Sequence, residues 1–158
     1  MVREVLRYPD PRLKARAAPG TSDPDRIAAD LIDTMRSFPR CVGVAAPQIG
    51  EPARVCVVDC TGHPKAPDAS GLLVLVDPVL TLGPESEIGR EGCLSIPDLT
   101  GNVRRALTVI VQAAGIDPFE ASGFEARAVQ HEVDHLDGIL FLDRVVSAAD
   151  VFARKSRG

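Results

Sequence analysis

The sequence predicts an α+β domain built around one central helix, and three observations carry that prediction. Runs rich in Val, Leu and Ile, bounded by Gly, Pro or Asp, read as buried strands at 54–59, 72–76 and 106–112. A helical periodicity spans 122–136, with strand-forming sequence to either side rather than alternating βαβ units. No fixed-period repeat or low-complexity stretch interrupts the chain, which sets aside solenoids and coiled coils. At 158 residues, one domain over 1–158 with one core is expected.

The first element is the helix in SDPDRIAADLIDTMRSF. Ser22 or Asp23 can cap it, Pro24 suits its first turn, and Ile27, Leu31, Ile32 and Met35 share a face before Pro39 stops it. Between two of the strand segments, TGHPKAPDASG has the composition of an exposed loop, and His63 within it reads as a solvated side chain. The second helix should start near Ser122 and run to Leu136, with Phe124, Ala128, His131 and His135 at helical spacing and Gly138 available to end it. A last short helix is expected in SAADVFARK, where Ser147 and Asp150 form a pair like a capping box.

Charge and composition narrow the function classes. A net charge of -4 leaves no footprint for nucleic acid or an anionic membrane surface, apart from a basic tail at 154–157. With 4% aromatic residues and no Trp, aliphatic side chains must build the core, and stacking on bases is disfavoured. The opening MVREVLRYPDPRLK lacks the apolar run of a secretory signal, and nowhere do about eighteen apolar residues follow one another. A cytoplasmic protein with no membrane or direct nucleic-acid partner is the expectation. In a reducing compartment Cys41, Cys56, Cys60 and Cys93 read as thiols, metal ligands or catalytic groups, and Cys56 and Cys60, on RVCVVDC, as small buried side chains.

The chemistry gathers in QHEVDHLDG. Residues four apart on a helix share a face, so His131 and His135 can reach one metal ion, with Glu132 as the neighbouring carboxylate. A metal lowers the pKa of bound water, and a carboxylate beside it can take the proton and deliver it to the leaving group. Two imidazoles leave a catalytic site one protein ligand short. Cys93, in the turn-like segment EGCLSIP, offers a thiolate that zinc or iron binds strongly, although taken alone it reads as a buried structural thiol. Asp134 reads either as an orienting group or as half of an ion pair.

In order along the chain, CVGVAAPQIG, EGCLSIP and QHEVDHLDG resemble the three sequence blocks of peptide deformylases, and VREVLRYPDPRLK is similar to that family's N-terminus. The resemblance covers nearly the whole chain. It implies antiparallel β-sheets packed around a central helix that carries His-Glu-x-x-His. It also implies a metal-dependent hydrolase that removes the N-formyl group from the formyl-methionine of nascent polypeptides, releasing formate.

By the same likeness, Cys93, His131 and His135 hold the metal and Glu132 is the general acid and base. Gln48 and the Leu94 backbone N–H stabilise the oxyanion, and the Gly43 backbone pairs with the extended peptide. Val42, Phe124 and Ala128 surround the methionine side chain, although Val42 and Phe124 also read as ordinary core. Glu91 is grouped with the substrate-binding residues and holds its block in place, while Gly92 permits a tight chain path. One divalent ion is implied, Fe(II) in the cell, with Zn(II), Ni(II) and Co(II) also suited to one thiolate and two imidazoles. The implied partners are a formyl-methionyl peptide and, transiently, the ribosome.

Three departures from the family pattern stand out. Cys41 replaces the usual Gly two residues before Gly43, implying a reshaped entrance; the 96–106 segment is short and lacks a familiar basic position near Thr100; and little chain remains after Leu142 for a long C-terminal helix. These raise an alternative, a specialised paralogue acting on a small non-peptide formamide or a restricted peptide set. Two readings from other classes are a zincin-type endopeptidase, which the EGCLS block and the short chain oppose, and a metal-stapled binding module, which needs a fourth protein ligand.

Overall fold

The computed structural model describes residues 1–154. Among them are two helices, α1 (Pro24–Arg36) and α2 (Gly123–Leu136), and three antiparallel sheets of three strands each. Strands β1 (Gly43–Ala45), β2 (Val55–Asp59) and β3 (Leu72–Val76) follow one another across the first sheet. The second runs β4 (Val79–Leu82), β7 (Thr108–Gln112), β8 (Phe119–Ser122), and the third runs β5 (Ser86–Cys93), β6 (Ile96–Ala106), β9 (Val151–Ala153). Beyond Arg154, the basic tail expected at 154–157 lies outside the described residues.

Helix α1 forms where the periodicity placed it, with Pro24 in its first turn and Asp23 at the cap position. Ile27, Leu31 and Met35 are buried against β1 and β2, so this helix closes one side of the first sheet. Helix α2 carries the domain's other core. Ala126, Val129 and Leu136 are fully buried, and the helix packs on strands of all three sheets. It ends at Gly138, whose φ of 74° is a left-handed conformation that glycine adopts without strain. Gly138 also lies against the Lys14 carbonyl, where a Cβ would have no room.

Three expectations are corrected. The strand-like run 106–112 divides at Leu107: Ala106 closes β6, and β7 begins at Thr108 in another sheet. The helix expected in SAADVFARK is instead a single turn at Ala148–Asp150, followed by strand β9. Ser147 does bond to Asp150 there, at 2.5 Å, but Val151 and Phe152 are strand formers, and the edge of β6 gives them partners at Gly101 and Thr100. Finally, strands β1, β4, β5 and β8 and most of β6 lie outside the three expected runs, β4 even though its VLTL is itself apolar.

Candidate active site

Three ligating side chains come from two elements. Cys93 ends β5, and His131 and His135 lie one turn apart on α2, so the helix brings both imidazoles to the end of the strand. All three are buried, one ligand atom from each lies within 4.8 Å of the others, and Cys93 Sγ is 3.3 Å from His135 Nε2. Tetrahedral ligands around one zinc-like ion stand roughly 3.5 Å apart, so this cluster fits a single ion with little movement.

Local sequence explains the position of Cys93. Register along β5 and β6 is regular from Ser86↔Ala106 to Gly92↔Thr100, then jumps to Cys93↔Ile96. Pro97, which lacks an N–H for the ladder, lies within this irregularity of register beside Cys93.

Behind His131 stands a buried charge network. Two residues before Cys93, and so on the same face of β5, Glu91 accepts from His131 Nδ1 at 2.8 Å, from Arg105 at 2.8 and 3.0 Å and from Arg127 at 2.8 Å. Arg105 also donates to Asp134 at 2.6 Å, and Asp134 accepts from Arg144 at 2.6 and 3.0 Å. Asp134 is therefore a member of an ion-pair network rather than a partner of either imidazole. Burial opposes ionising Glu91, but Arg105 and His131 hold its carboxyl far below the usual range. With Nδ1 donating to Glu91, the His131 ring presents Nε2 to the cluster.

The two imidazoles differ. Burial disfavours charge on both, yet His131 lies well above the ordinary histidine range because Cys93 and Glu91 support its protonated form. His135 lies well below that range through burial and the neighbouring His131. Its Nδ1 has no hydrogen-bond partner among the described residues.

Glu132 points into the same space. Burial pushes its carboxyl up to about 7, and Oε1 has no partner among the described residues. A Cβ added to Gly43 would lie 2.7 Å from Glu132 Oε2 and 2.9 Å from its Cγ, so β1 approaches α2 this closely only because residue 43 is glycine.

Gln48 lies on a single turn, Ala46–Ile49, after β1, and is 1% exposed. Its Oε1 accepts the Ala45 N–H at 2.9 Å, which fixes the amide so that Nε2 donates to Ser95 Oγ at 3.0 Å and faces Cys93 Sγ at 3.5 Å. Leu94 follows Cys93 on the turn and lines the cleft.

The cleft has a volume of about 1060 Å³ and reaches Val42, Gly43, Phe124 and Ala128 as well as Cys93 and His131. Glu91 borders it too, but its oxygens are engaged by Arg105, Arg127 and His131 rather than turned to a substrate. Cys41 forms part of the wall, and its thiol faces the Gly43 carbonyl at 3.3 Å; burial pushes that thiol up to about 12. His63 corrects the loop reading. It is half-buried, lines the cleft and stacks on Phe124 with ring centres 4.2 Å apart.

A family model described as polypeptide deformylase matches residues 2–150. The chain belongs to that family. It is 40% identical to a peptide deformylase of Dictyoglomus thermophilum over 92% of this chain and 94% of that one. With a peptide deformylase of Heliobacterium modesticaldum it shares 44% identity over 91% and 94% of the two chains. A Met-Ala-Ser-bound class I type b peptide deformylase from Acinetobacter baumannii superposes with a TM-score of 0.83 at 37% identity, covering 92% of this chain and 99% of that one. The peptide deformylase of Thermotoga maritima gives a TM-score of 0.82 at 31% identity over 93% and 99%. The deformylase fold with its antiparallel sheets is thus shared along nearly the whole chain.

Sequence reasoning named the residues that cluster, and Glu91 as holding its block, but missed the partners of Glu91. Arg105, Arg127 and Arg144 carried no motif, and Ser95 gave no signal beyond its place in EGCLS. One clue was available for Arg105: it alternates with Val103, a fully buried residue of the same strand face.

Proposed function

We propose that the protein is a metal-dependent peptide deformylase that hydrolyses the formyl group of N-terminal formyl-methionine, with all of 1–158 forming one catalytic domain. The observation that carries this reading is the buried Cys93, His131 and His135 cluster, of which Cys93 and His131 line a cleft together with Glu132 and Gln48. The central role given to α2 is supported by its contacts with strands of all three sheets.

Cys93, His131 and His135 would hold the ion, which when bound supplies Lewis acidity that acidifies a water and polarises the formyl oxygen. The side chains do the rest. Water adds to the formyl carbon, the C–N bond breaks, and Glu132 moves the water's proton to the departing amine nitrogen, giving formate and a free amino terminus. Gln48 Nε2 and the Leu94 N–H donate to the oxygen that becomes negative during addition. Gln48 is preset for this task, because Ala45 and Ser95 fix its amide before any substrate arrives.

Val42, Phe124 and Ala128 accept the methionine side chain, and Gly43 pairs through its backbone with the extended peptide. One thiolate and two imidazoles suit Fe(II), the ion proposed for the cell, as well as Zn(II), Ni(II) and Co(II). None of the helices among the described residues is long and apolar enough to cross a membrane. A cytoplasmic location and a transient approach to the ribosome complete the proposal.

The test is formate release from formyl-Met-Ala-Ser by anaerobically purified protein, beside the Glu132→Ala variant. The expected loss is about 10²–10⁴-fold in turnover with metal content retained. Equal turnover by the variant would remove Glu132 from the chemistry, and no formate from the unsubstituted, metal-loaded protein would refute the activity.

A further inference from the structure

The cleft rim carries positive charge that the mechanism above does not use. Arg40, Arg90 and Arg154 line it, and among the described residues none of the three pairs with a carboxylate. Elsewhere the protein's arginines are largely paired: Arg105, Arg127 and Arg144 serve the buried network, and Arg54 pairs with Asp137 at 2.9 Å. A cationic rim on a chain of net charge -4 is therefore a local feature.

Two of the three arginines are set in place by the C-terminal strand. The Arg154 N–H bonds to the Asp98 carbonyl at 2.8 Å, continuing the β9 pairing of Ala153 with Leu99, and its guanidinium lies against Gly92. Arg90 spreads over the Phe152 ring at 3.9 Å and donates to Asn102 at 3.1 Å and Thr100 at 3.2 Å, all neutral partners. Of the acidic groups near this arm, Asp150 is bonded to Ser147 and Asn102, Glu91 is held in the buried network, and Asp98 borders the cleft without an ion pair among the described residues. Among the described residues, neither guanidinium at the mouth of the cleft meets a carboxylate.

Position along β5 suggests what they meet. The Arg154 guanidinium stands over Gly92, the neighbour of Cys93 along β5, and Arg90 lies two residues further back; at about 3.3 Å per residue, with the reach of the side chains added, the rim lies within roughly 10 Å of the Cys93 thiol. An extended peptide whose formyl group lies at the cluster covers about that distance by its third residue.

We propose that Arg154, supported by Arg90, receives an anionic group at the third residue of the substrate, so that the enzyme favours peptides with a carboxylate there, whether a free C-terminus or an acidic side chain. The inference rests on the deformylase reading. A guanidinium matches a carboxylate with paired N–H donors, whereas an amide or a lysine at the same place finds either no charge to neutralise or repulsion.

The experiment compares formyl-Met-Ala-Ser as its free acid with the same peptide as a C-terminal amide, and formyl-Met-Ala-Glu-amide with formyl-Met-Ala-Lys-amide, on the metal-loaded protein. The free acid and the Glu peptide should be favoured by about fivefold in kcat/KM, mainly through KM, which is the scale of an exposed charge pair. High salt should shrink the preference. In Arg154→Gln the ratio should fall toward one, and Arg154→Lys should restore part of it. Equal use of acid and amide by the unsubstituted protein overturns the proposal, as does a preference that survives in Arg154→Gln. Absence of formate from every peptide would instead refute the deformylase reading itself.

Discussion

The floor of the cleft and its rim are built on opposite plans. At the floor, Glu91 alone accepts from one imidazole and two guanidinium groups, and Asp134 ties the same network to Arg144. At the rim, Arg40, Arg90 and Arg154 lack carboxylate partners among the described residues, and Phe124 has His63 stacked on it from a loop. Buried charges must be matched where they stand, because removing one partner leaves the other uncompensated at a cost of about 3–5 kcal/mol. Exposed ones can be left for a ligand. On the proposed reading, rigidity at the floor would serve the metal and the proton carrier, and openness at the rim the choice of substrate.

The contrast breaks hardest at Gly43, where floor and rim meet. The backbone of β1 edges the cleft, and Glu132 occupies the space a side chain at 43 would need. Gly43→Ala should therefore displace the carboxylate and lower kcat/KM by about 10²-fold or more, as a misplacement on the scale of 1 Å does. Metal content should stay near one ion per chain, since no ligand moves. Retained activity in this variant would mean that Glu132 does not work from the position described.

A second test separates anchoring from contact. Glu91→Gln keeps the size of the side chain but removes the charge that Arg105, Arg127 and His131 share. Metal affinity, measured by competition with a chelator, should fall roughly 10–100-fold, the usual consequence of losing an outer partner of a ligating histidine. Arg154→Gln should leave the same titration unaltered. If both variants bind metal like the unsubstituted protein, Glu91 does not orient His131.

How legible each region was follows from the same physics. That His131 and His135 come together beside Glu132 was readable because helical geometry ties residues four apart to one face, and α1 because a single apolar stripe survives in any fold that covers it. Strand β5 was hidden: half of SEIGREGC is exposed, and although Glu91 reads as holding its block in place, its partner Arg105 arrives only with β6. Strand β9 was read as a helix because capping residues act locally, whereas its pairing depends on an edge of β6 some fifty positions earlier. His63 was read as solvent-facing because loop composition says nothing about which ring the loop folds onto. The basic position missing near Thr100 was likewise a statement about one segment, and the fold brings Arg90 and Arg154 there from two others.

His63 gives the smallest of the expected effects and the cleanest probe of the rim. Its ring lies 11° from parallel with Phe124, at 4.2 Å between centres, so it limits the positions that Phe124 can take beside the pocket assigned to methionine. An aromatic pair of this kind contributes about 0.5–1.5 kcal/mol beyond its buried area. In His63→Ala, KM for formyl-Met-Ala-Ser should rise by about two- to tenfold while kcat holds, because the loss falls on side-chain binding and not on the floor. The same substitution should matter less for formyl-Ala-Ala-Ser, whose first side chain does not reach Phe124. A fall in kcat with KM unchanged would place His63 with the floor, its stacking on Phe124 then acting through α2 on the catalytic side chains.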